Sequence, residues 1–455
     1  MCINLRPGPR HICRRHYEIL CLHAADFLPG KLHPTPTAIA TFTTTVAPVE
    51  QATLPPPLPP TAQPKILYFG YTQSSSDGNH LIDGTGNLPK AAWIDIPLGG
   101  TPVWLAAVPD GETSLWAAVL ADGRVQAFRV SAEGAEPIAI VPDQLNPSTP
   151  PLLLFDGDQL QLLAHAPDSA SPFTHPIQVQ GEIAFIDPSG NLHVGEVILP
   201  VNALPDARLL QDEFGRILLL SGPSEIYSHG VLGDALEATQ ISLVETHPVT
   251  QLVHVFKIPE GRVIEGIAPI WADLTGDGQR EIVITLSDAT HGAQLAVFDE
   301  TGALIARSDV IGQGYRWRHQ IAVAPFGPHG EMELVTVLTP HLGGIVEFYQ
   351  LTGDHLRLTA QLGGYTSHVI NSRNLDMALA GDFDGDGNLE LLTPNQARTE
   401  LGAIRRDENG ATVVWSLPLQ GVLSSNLASA TSDDGKIWLG AGLDTGMLRV
   451  WLSDQ

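Results

Sequence analysis

Cysteine is nearly missing from this chain of 455 residues: the three present, Cys2, Cys13 and Cys21, all precede residue 22. Everything after Cys21 therefore folds without disulfides and offers neither a thiolate nucleophile nor a thiolate metal site. Basic residues are scarce as well, 24 against 50 acidic, for a formal charge of -26. That sign repels a phosphate backbone and an anionic membrane surface, so neither nucleic acid nor lipid is an expected partner. The sequence has no apolar run of about 18 residues, and hence no expected membrane-spanning helix. Gly-x-Ser-x-Gly elbows, His-Glu-x-x-His zinc motifs and phosphate-binding Gly-x-x-x-x-Gly-Lys-Ser/Thr loops are also lacking, which removes the common signatures of hydrolases and nucleotide enzymes.

What the chain does contain is turn-forming residues, 44 Gly and 36 Pro, beside 43% hydrophobic residues. This composition suits many short strands around a sizeable core. Residues 1–32 differ in kind: they carry a net +3, whereas the rest, with 19 basic and 48 acidic residues, carries -29. The apolar run Ile19–Leu22 is too short for a good signal peptide. Residues 33–64 turn to Thr, Pro and Ala, as in Leu54-Pro55-Pro56-Pro57-Leu58-Pro59-Pro60, and are expected to form an extended linker outside the core.

From residue 65 to 455 one pattern recurs. Asp273-Leu274-Thr275-Gly276-Asp277-Gly278-Gln279-Arg280-Glu281 and Asp382-Phe383-Asp384-Gly385-Asp386-Gly387-Asn388-Leu389-Glu390 lie 109 residues apart, with a degenerate copy around Gly330 and Glu333 midway. Apolar strand, glycine turn and apolar strand repeat at Gly111, Gly157, Gly215, Gly278, Gly330, Gly387 and Gly435, spaced by 46 to 63 residues. Such spacing accommodates four short strands per unit and predicts an all-β, seven-bladed β-propeller of four-stranded antiparallel blades. Val297-Phe298, Phe348-Tyr349 and Phe185-Ile186, each followed by a glycine turn, read as third strands. The last unit has only three strands before Gln455, and residues 66–98 are expected to supply its fourth and so remove an exposed edge.

In the two acidic loops, Asp382, Asp384 and Asp386 stand at positions 1, 3 and 5, Asn388 can offer a carbonyl from position 7, and Glu390 closes the set at position 9. Asp273, Thr275, Asp277, Gln279 and Glu281 occupy the same positions in the other copy. All-oxygen sets of this kind suit a hard cation, and two Ca²⁺ sites are expected. An EF-hand would require Glu at position 12, where Thr393 and Ile284 stand. Pro325, Gly327 and His329 replace the ligands of the 330 copy, which should be a plain turn.

These loops resemble the FG-GAP/VCBS repeats, known from integrin α-subunit propellers and many secreted bacterial proteins. The match is specific over Asp273–Glu281 and Asp382–Glu390, and extends loosely over 66–455 by repeat length. The resemblance implies calcium loops between the first two strands of some blades, an extracytoplasmic location, secreted or surface-tethered, and recognition of a protein or carbohydrate at one face. A monomer is expected.

Polar and aromatic residues concentrate in two stretches before predicted innermost strands: Tyr315, Arg316, Trp317, Arg318 and His319, then Tyr365, His368, Arg373 and Asn374. Loops at such positions enter the central funnel of a propeller, where these groups would suit carboxylates, sugars or acidic peptides. Two functions follow. The first is non-catalytic extracellular recognition; the alternative is a hydrolase or lyase acting on a polyanionic glycan, with His319 or His368 as acid/base and Arg316, Arg318 or Arg373 holding a carboxylate. Tyr227 and His229 fall in an insertion, Ser224–Ala238, expected to include a short helix.

Overall fold

The computed structural model describes residues 68–155, 160–163, 169–227 and 229–452. These belong to the larger of two compact units, 64–455. The basic segment 1–32, the linker 33–64 and the turn at Gly157 lie outside the described residues.

Among the described residues every regular element is a strand, and the described residues between Ser224 and Glu237 form no helix. The strands are short because glycine turns interrupt them every few residues, and consecutive strands pair antiparallel. Seven groups have four strands: 102–138, 177–200, 210–257, 270–307, 318–363, 379–418, and 423–452 completed by Ala92–Pro97. An eighth, smaller group joins Tyr68–Gly70 to Leu152–Phe155 and Leu160–Leu163. In chain order of their main strands these are blades 1 (102–138), 2 (the small group), 3 (177–200), 4 (210–257), 5 (270–307), 6 (318–363), 7 (379–418) and 8 (423–452 with 92–97).

The eight groups exceed the seven units expected from turn spacing. Blade 3 fits four strands of three to five residues into 177–200, so two groups share the length that the spacing assigned to one. For the same reason Phe185 and Ile186 lie on the second strand of their blade, not the third.

Strand burial follows position in the blade. Glu281–Ser287, Arg318–Ala324 and Ile437–Leu443 are buried along their whole length, whereas the outermost strands Gln251–Lys257 and His355–Gly363 are largely exposed. Inner strands are covered on both faces by neighbouring blades, so that polar residues such as Arg318, His319 and Gln320 are buried along with the apolar ones. Core clusters accordingly span adjacent blades: Trp116 of blade 1 packs with Ala428, Ala430 and Trp438 of blade 8. Gly440 is required at this contact, since a Cβ there would stand 2.2 Å from the Trp116 ring. The arrangement is a β-propeller: radially repeated sheets packed face to face around an interior.

That interior holds the protein's own chain. After pairing with blade 2, residues 70–88 touch the inner strands of six blades. Gly70 lies against Ala107, Ser76 Oγ donates to Gln211 O (2.9 Å), Trp271 N donates to Asp77 O (3.1 Å), and His80 N donates to Ile321 O (3.2 Å). Leu81–Thr85 then runs parallel to Leu379–Asp382, and Thr85 N donates to Gly435 O (2.8 Å). The chain emerges to form Ala92–Pro97, antiparallel to Met447–Leu452 with Ile96 opposite Leu448, and gives blade 8 its fourth strand.

Candidate metal loops and the polar end of the ring

Both acidic loops connect the first and second strands of their blades: Ile270–Ala272 to Glu281–Ser287, and Leu379–Asp382 to Glu390–Pro394. Each turns back through two glycines at positive φ, Gly276 and Gly278 (77° and 85°), Gly385 and Gly387 (77° and 84°). The first Asp organises the turn by accepting backbone N–H groups. Asp273 accepts from Gly276 (2.6 Å) and Gly278 (2.8 Å), and Asp382 from Gly385 (2.8 Å) and Gly387 (3.2 Å).

Three carboxylates converge in each loop, Asp273, Asp277 and Glu281 in one, Asp382, Asp384 and Glu390 in the other, with one oxygen of each within 4.8 Å of the others. The Thr275 hydroxyl reaches this group, 3.4 Å from Asp273 and 3.3 Å from Glu281. Asp386 does not join the second set: its carboxylate pairs with Arg405 and accepts from the Asn388 amide. Gln279 is fixed through its N–H to Asp277 (2.8 Å).

Glu390 is fully buried. Its Oε2 accepts from Phe383 N (3.1 Å), while Oε1 has no hydrogen-bond partner and lies 3.7 Å from Arg405 Nη1. Burial, reinforced by the Asp384 charge, pushes its carboxyl up to about 8. Burial likewise raises Asp382 and Glu281. A buried carboxylate oxygen without a donor, facing two further carboxylates, fits a divalent cation with oxygen ligands. The degenerate copy at Gly330 is held instead by Glu331, which accepts from His329 N (2.9 Å).

The expected funnel residues are dispersed over several separate environments. Arg318 is buried on blade 6, bonded to Glu347 (3.0 Å) with its guanidinium 5.8 Å from the Tyr349 ring centre. Arg373 is bound by Asp206 (2.7 Å) and Asp234 and stacks 4.0 Å over Phe173. Arg316 donates to Ile311 O (2.8 Å) and Gln313 O (3.0 Å), Tyr365 packs on Gly402, and Asn374 reaches Val103 O (3.4 Å).

Trp317, His319 and His368 do come together, with His341 as a further member. Trp317 stacks on His319 at 4.7 Å, and His368 bonds to His341 (2.7 Å) and Ser372 O (2.7 Å). Burial, aided by neighbouring histidines, lowers His319 well below its usual range and holds His341 near 4 and His368 near 3, so the group is neutral at physiological pH. Tyr315 is exposed and stacks on His229 (5.1 Å), whose Nδ1 bonds to buried Glu265. Ser287 donates to the same carboxylate. The hydroxyl thus faces Glu265 and not the imidazole. Nearby Glu237 is pushed up to about 9 by burial and by the Glu265 charge.

Sequence reasoning passed over the polar centre of the ring. Arg208, only 1% exposed, donates to Asp376 (3.1 Å), Thr72 (3.0 Å) and Arg373 O (3.2 Å), and His80 bonds to the other Asp376 oxygen (2.9 Å). These residues carry no motif and lie up to 296 positions apart.

No family model matches the chain, and no curated protein matches it in sequence. Its structure is similar to that of a europium-containing methanol dehydrogenase, at 10% identity over 84% of this chain and 98% of that one, with a TM-score of 0.51. BamB from Moraxella catarrhalis aligns at 11% identity over 80% and 98% of the two chains, with a TM-score of 0.38. The first similarity bears on the fold alone.

Proposed function

We propose that this protein is a calcium-stabilised recognition propeller of the FG-GAP/VCBS type, extracytoplasmic and without catalytic activity, which binds a carbohydrate or protein. We read its eight strand groups as eight blades. The observation that carries the calcium assignment is buried Glu390, whose Oε1 has no hydrogen-bond partner and whose carboxylate converges with those of Asp382 and Asp384, in a loop that recurs 109 residues earlier. The recognition reading is supported over the hydrolase or lyase reading by the internal engagement of Arg318 and Arg373 and by the burial of His319 and His368.

Calorimetric titration should find two calcium sites and weak competition by magnesium, which prefers a rigid octahedral set. At a calcium concentration of about 100 times Kd, each site would add roughly 2.7 kcal/mol to stability. A melting temperature indifferent to calcium and to chelator, with no binding heat, would remove the assignment.

A further inference from the structure

The segment that fills the ring satisfies its polar groups with one local exception. Thr72 accepts from Arg208, Ser75 donates to Asp77 and to Asn79 O, Ser76 donates to Gln211 O, Asn79 exchanges two hydrogen bonds with Val323, and His80 is held at both nitrogens. Between them, Gln73 Nε2 and Ser74 Oγ are buried without any hydrogen-bond partner, and Gln73 is only 2% exposed. Two adjacent orphan donors in an otherwise satisfied segment require an explanation.

Both residues line a cavity of about 250 Å³ between the segment and the inner strands of blades 1, 7 and 8. The wall across from them combines Leu379, Leu427, Ala107 and Ala430 with the hydroxyl residues Ser429 and Thr431. Asp83, which is exposed, is the one charged residue in the lining. An anionic ligand would leave water without a compensating partner there, since the lining holds no cationic side chain. The space equals that of about eight waters at ~30 Å³ each, below the range of drug-sized sites.

We propose that this cavity binds one small neutral polyhydroxylated ring, a monosaccharide-class ligand whose oxygens meet Gln73 and Ser74 and whose C–H face packs on the leucines. The inference rests on the carbohydrate branch of the proposed function and places the ligand in the ring interior, not at the arginine and histidine cluster.

The test uses the full chain with calcium present and a panel of glucose, galactose, mannose and xylose, with glucuronate as the charged comparison, followed by saturation-transfer NMR and calorimetry. One neutral sugar should bind at a stoichiometry of one, and glucuronate should not. Gln73→Leu combined with Ser74→Ala should weaken binding at least tenfold, and Ala430→Leu, which fills the cavity, should abolish it. The double variant suffices if the filled one fails to fold. Binding that survives the double variant would move the sugar elsewhere and overturn the cavity while leaving recognition standing. No binding of any neutral sugar, with the double variant melting at or above the wild type, would assign the cavity to water. Calcium titration of the same samples reports separately on the metal loops.

Discussion

At the scale of single residues, the loops separate carboxylates that converge from those engaged elsewhere. Because Asp386 is committed to Arg405 while Asp384 faces Glu390, Asp384→Asn should remove most of the calcium-dependent gain of that loop, and Asp386→Asn much less. Melting each variant in calcium and in chelator checks this, and equal losses would contradict the geometry. Glu237 gives a second residue-scale expectation. Its folded value, about 9, lies above the ordinary carboxyl value of 4.5, so the native state holds the proton more tightly. Its contribution is complete below about 4.5 and is lost as pH rises toward 9, with a slope of at most about 1.4 kcal/mol per pH unit for one proton. Glu237→Gln should flatten stability across that window, as read by denaturant titration at several pH values.

At the scale of elements, the interior segment and the metal loops are one mechanical unit. Arg280, inside the first loop, donates to Asp77 (2.6 Å) and to Trp271 O (2.6 Å). In the second loop, Gly86 N donates to Asp382 O (2.8 Å) and Leu88 N to Phe383 O (2.9 Å). Calcium should therefore slow hydrogen exchange of residues 75–88 as well as of the loops, and Arg280→Met should weaken the effect near Asp77 but not near Gly86. Exchange unchanged by calcium in both stretches would show the contacts to be independent of the metal. The strand Ala92–Pro97 matters for another reason, since it covers what would be an open edge of blade 8. Ile96 is 3% exposed against blade 1, so Ile96→Asp should cost about 3 kcal/mol or more, whereas Trp93→Ala, at a half-exposed position, should cost under about 1 kcal/mol.

For the whole molecule, these terms set a pH optimum. Half-buried His341 and buried His368 are held near 4 and 3, below the ordinary 6.5, so the unfolded chain takes up their protons first and stability falls as pH drops below about 6.5. Glu237 acts in the opposite direction as pH rises. Full-chain stability in chelator should therefore pass through a maximum in the weakly acidic range. The histidine variants His341→Gln and His368→Gln should reduce its acid-side slope. Ring closure is also a property of the whole: the described chain starts at blade 2, fills the centre, leaves beside blade 8 and only then builds blade 1, so Ala92–Pro97 pairs with the last described strand, Met447–Leu452.

The repeat, the all-β class, the two acidic loops and the need for a strand to complete the final sheet were legible from residue order, because each depends on local patterning: glycine turns, apolar alternation and carboxylates at odd loop positions. The convergence of carboxylates in each loop was readable except for Asp386, whose diversion depends on Arg405 arriving from another strand. Blade number was not readable, since turn spacing does not distinguish one long unit from two short groups. The fate of Arg318, Arg373, His319 and His368 was hidden for a related reason. A cationic or aromatic side chain before an inner strand has the same local sequence whether it faces a ligand or a carboxylate from a neighbouring blade. Contacts such as Arg208 with Asp376, or Asp77 with Arg280, span 168 and 203 residues and come into being only when the ring closes around the segment it contains.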